Sequence, residues 1–256
     1  MIKNHCFLAK YQKWVKKIPL TFLFAILTFS SQNQASSEEI MTNSKIFNIP
    51  YIMPNSLEGD RKFLEDSLNK AQKRLNEFAV KNGWKEFITE SFVDVAEVYT
   101  SKAQFDQRII YLSDAPEDTK LPDTYSAALE KRILISVSPE IYKKNFPEGI
   151  EKDSFEKLLT HELAHRLHIR ILDGNEDKMG PVWFFEGFAI FAANQFEKDQ
   201  LALTEQEIWD IVKSEKRGSY RKYASIMKFF LQKVSIQEMV QRAGDEDFNE
   251  WLRSIK

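Results

Sequence analysis

The pattern of apolar and polar positions divides the chain into a mixed first part and a helical second part. In residues 57–82, apolar side chains recur at the spacing of one helix face, and Asn82-Gly83 ends the predicted helix. Residues 92–99 alternate between apolar and polar side chains, which predicts a strand. The other predicted elements of this part are a short helix at 101–106, strands at 108–112 and 132–138, and a loop at 113–122.

From residue 153 onward, nearly every segment has helical spacing. Helices are predicted at 153–172, 181–197, 204–215, 219–234 and 245–254. No stretch rich in Gly, Pro or Ser separates the two parts of the chain. We therefore predict an α+β fold in which a small mixed sheet within residues 36–152 precedes a mainly helical part at 153–256. Both parts are expected to belong to one domain, with a cleft between them.

The first 35 residues have the pattern of a secretory signal peptide. Five lysines without an acidic residue accompany an apolar run at 18–29, and a small polar stretch follows that run. The run has 12 residues, fewer than the roughly 20 that a membrane-spanning helix needs. We predict a secreted or periplasmic protein without stable membrane insertion after cleavage near residue 35. The alternative is an uncleaved anchor that tethers an interaction domain to the membrane.

Charge and cysteine content narrow the classes of function. Residues 1–35 contain five of the 36 Lys and Arg and none of the 38 Asp and Glu, so their removal changes the net charge from −2 to −7. An acidic chain of this kind disfavours nucleic acid and anionic lipid as partners. The one cysteine, Cys6, leaves with the signal peptide, which excludes disulfides, thiol catalysis and thiolate metal ligands from the mature chain.

The candidate chemistry lies in the sequence His161-Glu162-Leu163-Ala164-His165. Residues i and i+4 of a helix lie on one face, so both imidazoles can reach one Zn²⁺. Glu162 lies about 100° further around the helix, from where its carboxylate can act as a general base toward a metal-bound water. After signal removal only three histidines remain, all within eight residues. This concentration favours a metal site over a chance or purely structural pair.

A catalytic zinc site needs a third protein ligand. Helix breakers follow at Asp173-Gly174, and Pro181 suits the first turn of the next predicted helix. The one acidic residue in the apolar sequence PVWFFEGFAIFAANQF is Glu186. A carboxylate among apolar side chains is costly to bury without a partner, and a metal ion is such a partner. The alternative is a surface acid on the polar side of this helix.

HELAH, followed after twenty intervening residues by Glu186 in WFFEGFA, resembles the gluzincin metallopeptidases. The likeness is to the thermolysin-like core of the peptidase-MA group, including aminopeptidases whose motif is W-x-x-E-G-x-A. The motifs cover residues 161–189, and a looser likeness extends from about 90 to 243. The resemblance implies a zincin-like fold, zinc bound by His161, His165 and Glu186, and Glu162 as the general base.

The same family uses a Tyr or His to steady the oxyanion, and the segment GSYRKYASIMKFFLQKVS resembles the helix that provides it. Tyr220 is the candidate and Tyr223 the alternative. The family also pairs substrate with an edge strand of its sheet, for which residues 125–135 are the loose match. Aminopeptidases have G-x-M-E-N there, whereas this chain has ALEKR, so we leave Glu130 out of the site. His168 either supports the ligands or occupies a polar or partly buried position on the helix.

These features together predict a zinc-dependent metallopeptidase that hydrolyses peptide or protein substrates. The main alternative is a catalytically silent extracytoplasmic binding protein of the same fold. The sequence does not indicate the substrate, the choice between endo- and exopeptidase, or the oligomeric state.

Overall fold

A computed structural model describes residues 45–199, 201–214 and 216–255. The predicted signal peptide at 1–35 lies outside these residues. Within the described ranges, no helix has both the length and the apolar character needed to cross a membrane. Residues Lys45–Lys256 form one compact unit. Its strands all precede residue 138, and its helices dominate after residue 153, so the fold is a mixed α/β arrangement with a small sheet.

The first part of the chain forms a four-stranded mixed sheet with three α-helices. The elements are β1 (Tyr51–Ile52), α1 (Arg61–Lys81), β2 (Val95–Tyr99), α2 (Lys102–Leu112), β3 (Ala127–Glu130), β4 (Ile133–Val137) and α3 (Pro139–Asn145). The strand order is β1-β2-β4-β3, with β1, β2 and β4 parallel and β3 antiparallel to β4. Strand β3 therefore forms one edge of the sheet.

The edge strand and its neighbour are joined by a two-residue hairpin turn. Both turn residues, Lys131 and Arg132, have positive φ angles of 47° and 64°. This is the type I′ geometry that matches the twist of a hairpin, although Asn and Gly are its usual residues. An ion pair between Arg132 and Asp94, with a 2.6 Å separation, ties the turn to the start of β2. The segment 125–135 is thus an edge strand followed by a turn and the beginning of β4.

The predicted strand at 108–112 is wrong, because these residues form the second half of α2. Ser101 caps this helix through its hydroxyl, which accepts a hydrogen bond from the Gln104 amide. Phe105, Ile109 and Leu112 then bury one helical face against the sheet. Five residues considered alone were too few to distinguish a strand from a helix that begins upstream.

The second part of the chain contains six α-helices in the described residues and a short 3-10 helix at Glu176–Met179. The six α-helices are α4 (Ser154–Ile171), α5 (Val182–Ala193), α6 (Glu205–Val212), α7 (Tyr220–Leu231), α8 (Ile236–Arg242) and α9 (Phe248–Ser254). Helices α3 and α8 were not predicted; each has only seven residues and begins with a serine cap. Helix α4 packs against α1, α5 and β3, and α5 packs in turn against α7. The central pair α4 and α5 therefore lies between the sheet and the C-terminal helices.

Helix α5 is buried on nearly all sides. Its aromatic residues Trp183, Phe184 and Phe188 are fully enclosed by other rings of the core. A Cβ at Gly187 would lie 2.5 Å from the Met227 side chain, so this glycine permits the close approach of α5 to α7. Any polar side chain on α5 consequently lies deep in the protein and requires a polar partner there.

Candidate metal centre

Helix α4 carries the two histidines of the HELAH sequence on one face. Their imidazole rings meet edge to face, with ring centroids 4.7 Å apart, and the two Nε2 atoms are 3.1 Å apart. His161 is buried and His165 is partly buried. The i, i+4 spacing thus brings the same nitrogen of each ring to one point on the surface of α4.

Helix α5 brings Glu186 to the same point. Gly180, with φ of 85°, turns the chain after α4, and α5 begins directly after Pro181. Glu186 is only 2% exposed, and its Oε2 lies 3.2 Å from Nε2 of His161 and 3.7 Å from Nε2 of His165. The structure therefore brings together the three side chains that the sequence predicts as metal ligands.

The distances among these three atoms suit a tetrahedral metal ion. Zinc bonds of about 2.0–2.1 Å place tetrahedral ligand atoms about 3.3–3.4 Å apart. The observed separations of 3.1, 3.2 and 3.7 Å lie on both sides of that value. Two imidazole nitrogens and one carboxylate are also the donor types that zinc takes in catalytic sites. The residues present thus fit a zinc ion, which His161, His165 and Glu186 would hold.

The charges of the three clustered side chains offset one another. Burial lowers the pKa of His165 to about 3, which keeps this imidazole neutral. Burial opposes ionisation of Glu186, but its hydrogen bond with His161 and the charge of Arg217 lower the pKa of Glu186 to about 2. Burial likewise opposes charge on His161, and Glu186 outweighs it and raises the His161 pKa. The Glu186 carboxylate is balanced by a proton on His161 and by the Arg217 guanidinium, and a metal cation bound at Nε2 of His161 would take the place of that proton.

Gln195 holds the far side of the His161 ring. Its Oε1 lies 2.9 Å from Nδ1 of His161, which leaves Nε2 directed at the cluster when Nδ1 carries the proton. Asn194, with φ of 56°, ends α5 in a left-handed turn that places the next side chain there. No spacing along the chain indicates Gln195, because only the turn after α5 brings it back to α4. Nδ1 of His165 has no hydrogen-bond partner in the described part of the chain.

Glu162, the candidate general base, is next to the ligand cluster and only partly buried. Burial is the main reason that the pKa of Glu162 rises to about 7, and the negative charges of Glu186 and Glu130 add to it. A carboxylate with a pKa near neutral can both take and return a proton in the physiological range. Its partial exposure lets water reach it.

Tyr220 and Tyr223 lie on the same turn of α7 but point to different surroundings. The Tyr220 ring lies 6.3 Å from the His161 ring, between centroids. The Tyr223 hydroxyl donates a 2.6 Å hydrogen bond to the backbone carbonyl of Lys216, and its side chain is buried. Burial raises the pKa of Tyr220 well above its usual value, so its phenol stays protonated and can donate. Of the two candidates, Tyr220 is the one beside the cluster.

Arg217 is a second residue at the cluster that sequence analysis missed. Its Nη1 lies 3.4 Å from Oε1 of Glu186, and its guanidinium lies 5.1 Å from the ring centroid of Phe185. The neighbouring Gly218 has φ of 105°, a conformation that favours glycine and turns the chain into α7. No helix or strand contains Arg217, and no local spacing linked it to the HELAH helix.

His168 and Glu130 are buried but stand apart from the ligand set. His168 is fully buried, stacks on Phe188 with ring centroids 4.3 Å apart, and has no hydrogen-bond partner for either ring nitrogen among the described residues. It is thus a packed core residue. Glu130 is 8% exposed at the end of β3, and burial raises its pKa to about 7. Its charge affects the pKa of Glu162 without a direct contact to the ligands.

Comparison with known proteins gives no relative for this chain: no family model, no curated protein and no solved structure matches it.

Proposed function

We propose that this chain is a zinc-dependent metallopeptidase with a zincin-like fold, exported through the signal peptide predicted at residues 1–35. The observation that carries the proposal is the convergence of His161, His165 and Glu186, whose Nε2 and Oε2 atoms lie 3.1–3.7 Å from one another. A general base candidate, Glu162, adjoins them on the same helix. A site that served only to hold a structural metal would need no partly exposed carboxylate at this position.

The arrangement around the cluster supports peptide hydrolysis. A zinc ion held by the three ligands would supply the Lewis acid that activates a water molecule and polarises a peptide carbonyl. Glu162 takes the proton of the attacking water and delivers it to the departing amine. The Tyr220 hydroxyl donates a hydrogen bond to the oxyanion of the tetrahedral intermediate. Gln195 keeps the His161 ring in one orientation.

The edge strand of the sheet, all four residues of which are buried, lies next to the helix that carries the two histidines. Strand β3 forms the edge of the sheet, and it packs beside α4, the helix that carries the HELAH sequence. An extended peptide can add to such an edge through backbone hydrogen bonds. This position, with the ligand cluster on the adjacent helix, supports a peptide or protein substrate and the proposed cleft between the two parts of the chain.

The test compares the wild type with Glu162→Gln on a general protein substrate, with zinc and with a chelator. Glu162→Gln retains the ligands and the side-chain volume, so zinc content should match the wild type while hydrolysis falls by a factor of 10² or more, in line with general-base contributions of about 10²–10⁴. The matched control is Glu250→Gln, an exposed acid on α9, which should retain full activity. Zinc binding without chelator-sensitive hydrolysis in the wild type would instead favour the silent binding protein.

A further inference from the structure

The guanidinium of Arg217 adjoins the ligand cluster at a side that the proposed chemistry does not use. Glu162 and Tyr220 serve the water and the oxyanion, whereas Arg217 contacts the outer oxygen of Glu186, with Nη1 3.4 Å from Oε1. The Arg217 side chain is 38% exposed, while Glu186 is 2% exposed. Arg217 therefore connects the buried cluster with the solvent-accessible space in front of it.

Three local features fix Arg217 in this position. The Tyr223 hydroxyl binds the carbonyl of the preceding residue, Lys216, at 2.6 Å. Gly218, with φ of 105°, provides the turn on the other side. The guanidinium lies over Phe185, 5.1 Å from its ring centroid, a contact that favours a cation. A side chain that is held before a ligand arrives loses less conformational entropy when it binds one.

The chemistry of this side chain selects a carboxylate. A guanidinium presents five N–H donors in a planar fork that matches the two oxygens of a carboxylate. Arg217 Nη1 lies 3.4 Å from Oε1 of the proposed ligand Glu186, and each residue of an extended chain spans only about 3.3–3.6 Å, so the guanidinium is within reach of a substrate residue close to the cluster. A substrate whose cleaved bond lies at the ligand cluster would thus bring a residue next to that bond within reach of Arg217, and a free C-terminal carboxylate can lie only on the side that follows the bond.

We infer that Arg217 receives a carboxylate carried by the substrate residue that directly follows the cleaved bond. This inference rests on the proposed peptidase function and deepens it. The carboxylate has two sources: the free C-terminus of the peptide, which makes the protein a carboxypeptidase, or an Asp or Glu side chain, which makes it selective for acidic residues. Arg217 is in this account a specificity-determining residue.

The experiment measures equilibrium binding by calorimetry to the zinc-loaded Glu162→Gln protein, which cannot turn over the ligands. The three probes are acetyl-Phe-Ala with a free carboxylate, the same dipeptide as its C-terminal amide, and acetyl-Phe-Asp amide. At least one of the two carboxylate probes should bind about 10- to 100-fold more tightly than the alanine amide, as expected for a charge-assisted hydrogen-bonded pair. The tighter of the two identifies the source of the carboxylate.

Adding Arg217→Gln to the same protein should bring this ratio of affinities close to one. Arg217→Lys keeps the charge beside Glu186 but lacks the planar fork of donors, so it should lower the ratio less than Arg217→Gln does. It replaces Arg217→Gln in the experiment if that variant retains too little zinc. The matched control is Arg221→Gln, which removes an arginine that pairs with Asp199 at 2.6 Å and should keep the ratio.

Equal binding of all three probes, binding of none, or a ratio that survives Arg217→Gln would overturn the inference. If Arg217 served only to support Glu186, its replacement would weaken zinc binding and leave the ratio intact. Hydrolysis of a general protein substrate by the wild type distinguishes a failure of the role of Arg217 from a failure of the proposed peptidase function. Zinc-dependent hydrolysis without a carboxylate preference refutes the role of Arg217 alone, whereas the absence of zinc-dependent hydrolysis refutes the proposed function as well.

Discussion

Replacing Gln195 tests whether its hydrogen bond orients the ring of His161, a proposed zinc ligand. Gln195→Leu keeps most of the side-chain volume and removes the acceptor that lies 2.9 Å from Nδ1 of His161. Loss of a hydrogen-bond partner behind a metal-binding histidine typically lowers metal affinity about 10- to 100-fold, or about 1.4–2.7 kcal/mol. The buried Nδ1 would also lose its partner, which should lower the free energy of unfolding of the zinc-depleted protein by about 1–3 kcal/mol.

The assay is a zinc titration in competition with a chromogenic chelator, paired with urea unfolding of the zinc-depleted protein. Gln195→Glu keeps an acceptor at the same place and should bind zinc at least as tightly as Gln195→Leu. Gln232→Leu, an exposed glutamine at the end of α7, is the matched control and should change neither quantity. A zinc affinity for Gln195→Leu within about twofold of the wild type would refute the orienting role of Gln195, because the expected loss is about 10- to 100-fold.

Three further predictions concern single side chains. Tyr220→Phe should lower kcat about 10²–10³-fold with little change in KM, as expected for a lost oxyanion donor; Tyr223→Phe should lower kcat far less, and equal losses would contradict the assignment. Burial raises the pKa of Glu162 to about 7, and a general base must be ionised to accept a proton. The value of kcat/KM should therefore fall as pH decreases below about 7, and an activity that rises toward pH 5 would contradict the role of Glu162. Burial lowers the pKa of His168 to about 3. As pH falls, His168 is therefore protonated at a higher pH in the unfolded chain than in the folded one. The free energy of unfolding should decrease as pH falls from about 6.5 toward 3, by about 2 kcal/mol at pH 5. His168→Leu should remove this loss in unfolding titrations at pH 7 and pH 5, and an unchanged pH dependence would count against it.

The parts of the fold that the sequence predicted well are those with a long, repeated pattern. Helices α1, α4 and α5 have enough turns for their apolar spacing to be distinctive, and β2 and β4 show regular strand patterns. The juxtaposition of His161, His165 and Glu186 also follows from local pattern. Two of the proposed ligands share one helical face, and the third is the one acid in the apolar helix that follows.

The parts that the sequence did not predict depend on single backbone conformations. The hairpin between β3 and β4 turns at Lys131 and Arg132, which adopt positive φ without the Asn or Gly that would mark such a turn. Gln195 and Arg217 reach the cluster through turns at Asn194 and Gly218. The contacts of both side chains are long-range, so no spacing along the chain indicates them.

The most direct test of the zinc site is the metal content of the purified protein, measured by elemental analysis in the wild type, His165→Ala and His168→Leu. The two variants each remove one histidine from α4, but only the first removes a proposed ligand. We predict about one zinc per chain in the wild type and in His168→Leu, and far less in His165→Ala. The absence of zinc from the wild type after loading, or an equal zinc content in all three proteins, would contradict the metal centre and the metallopeptidase function built on it.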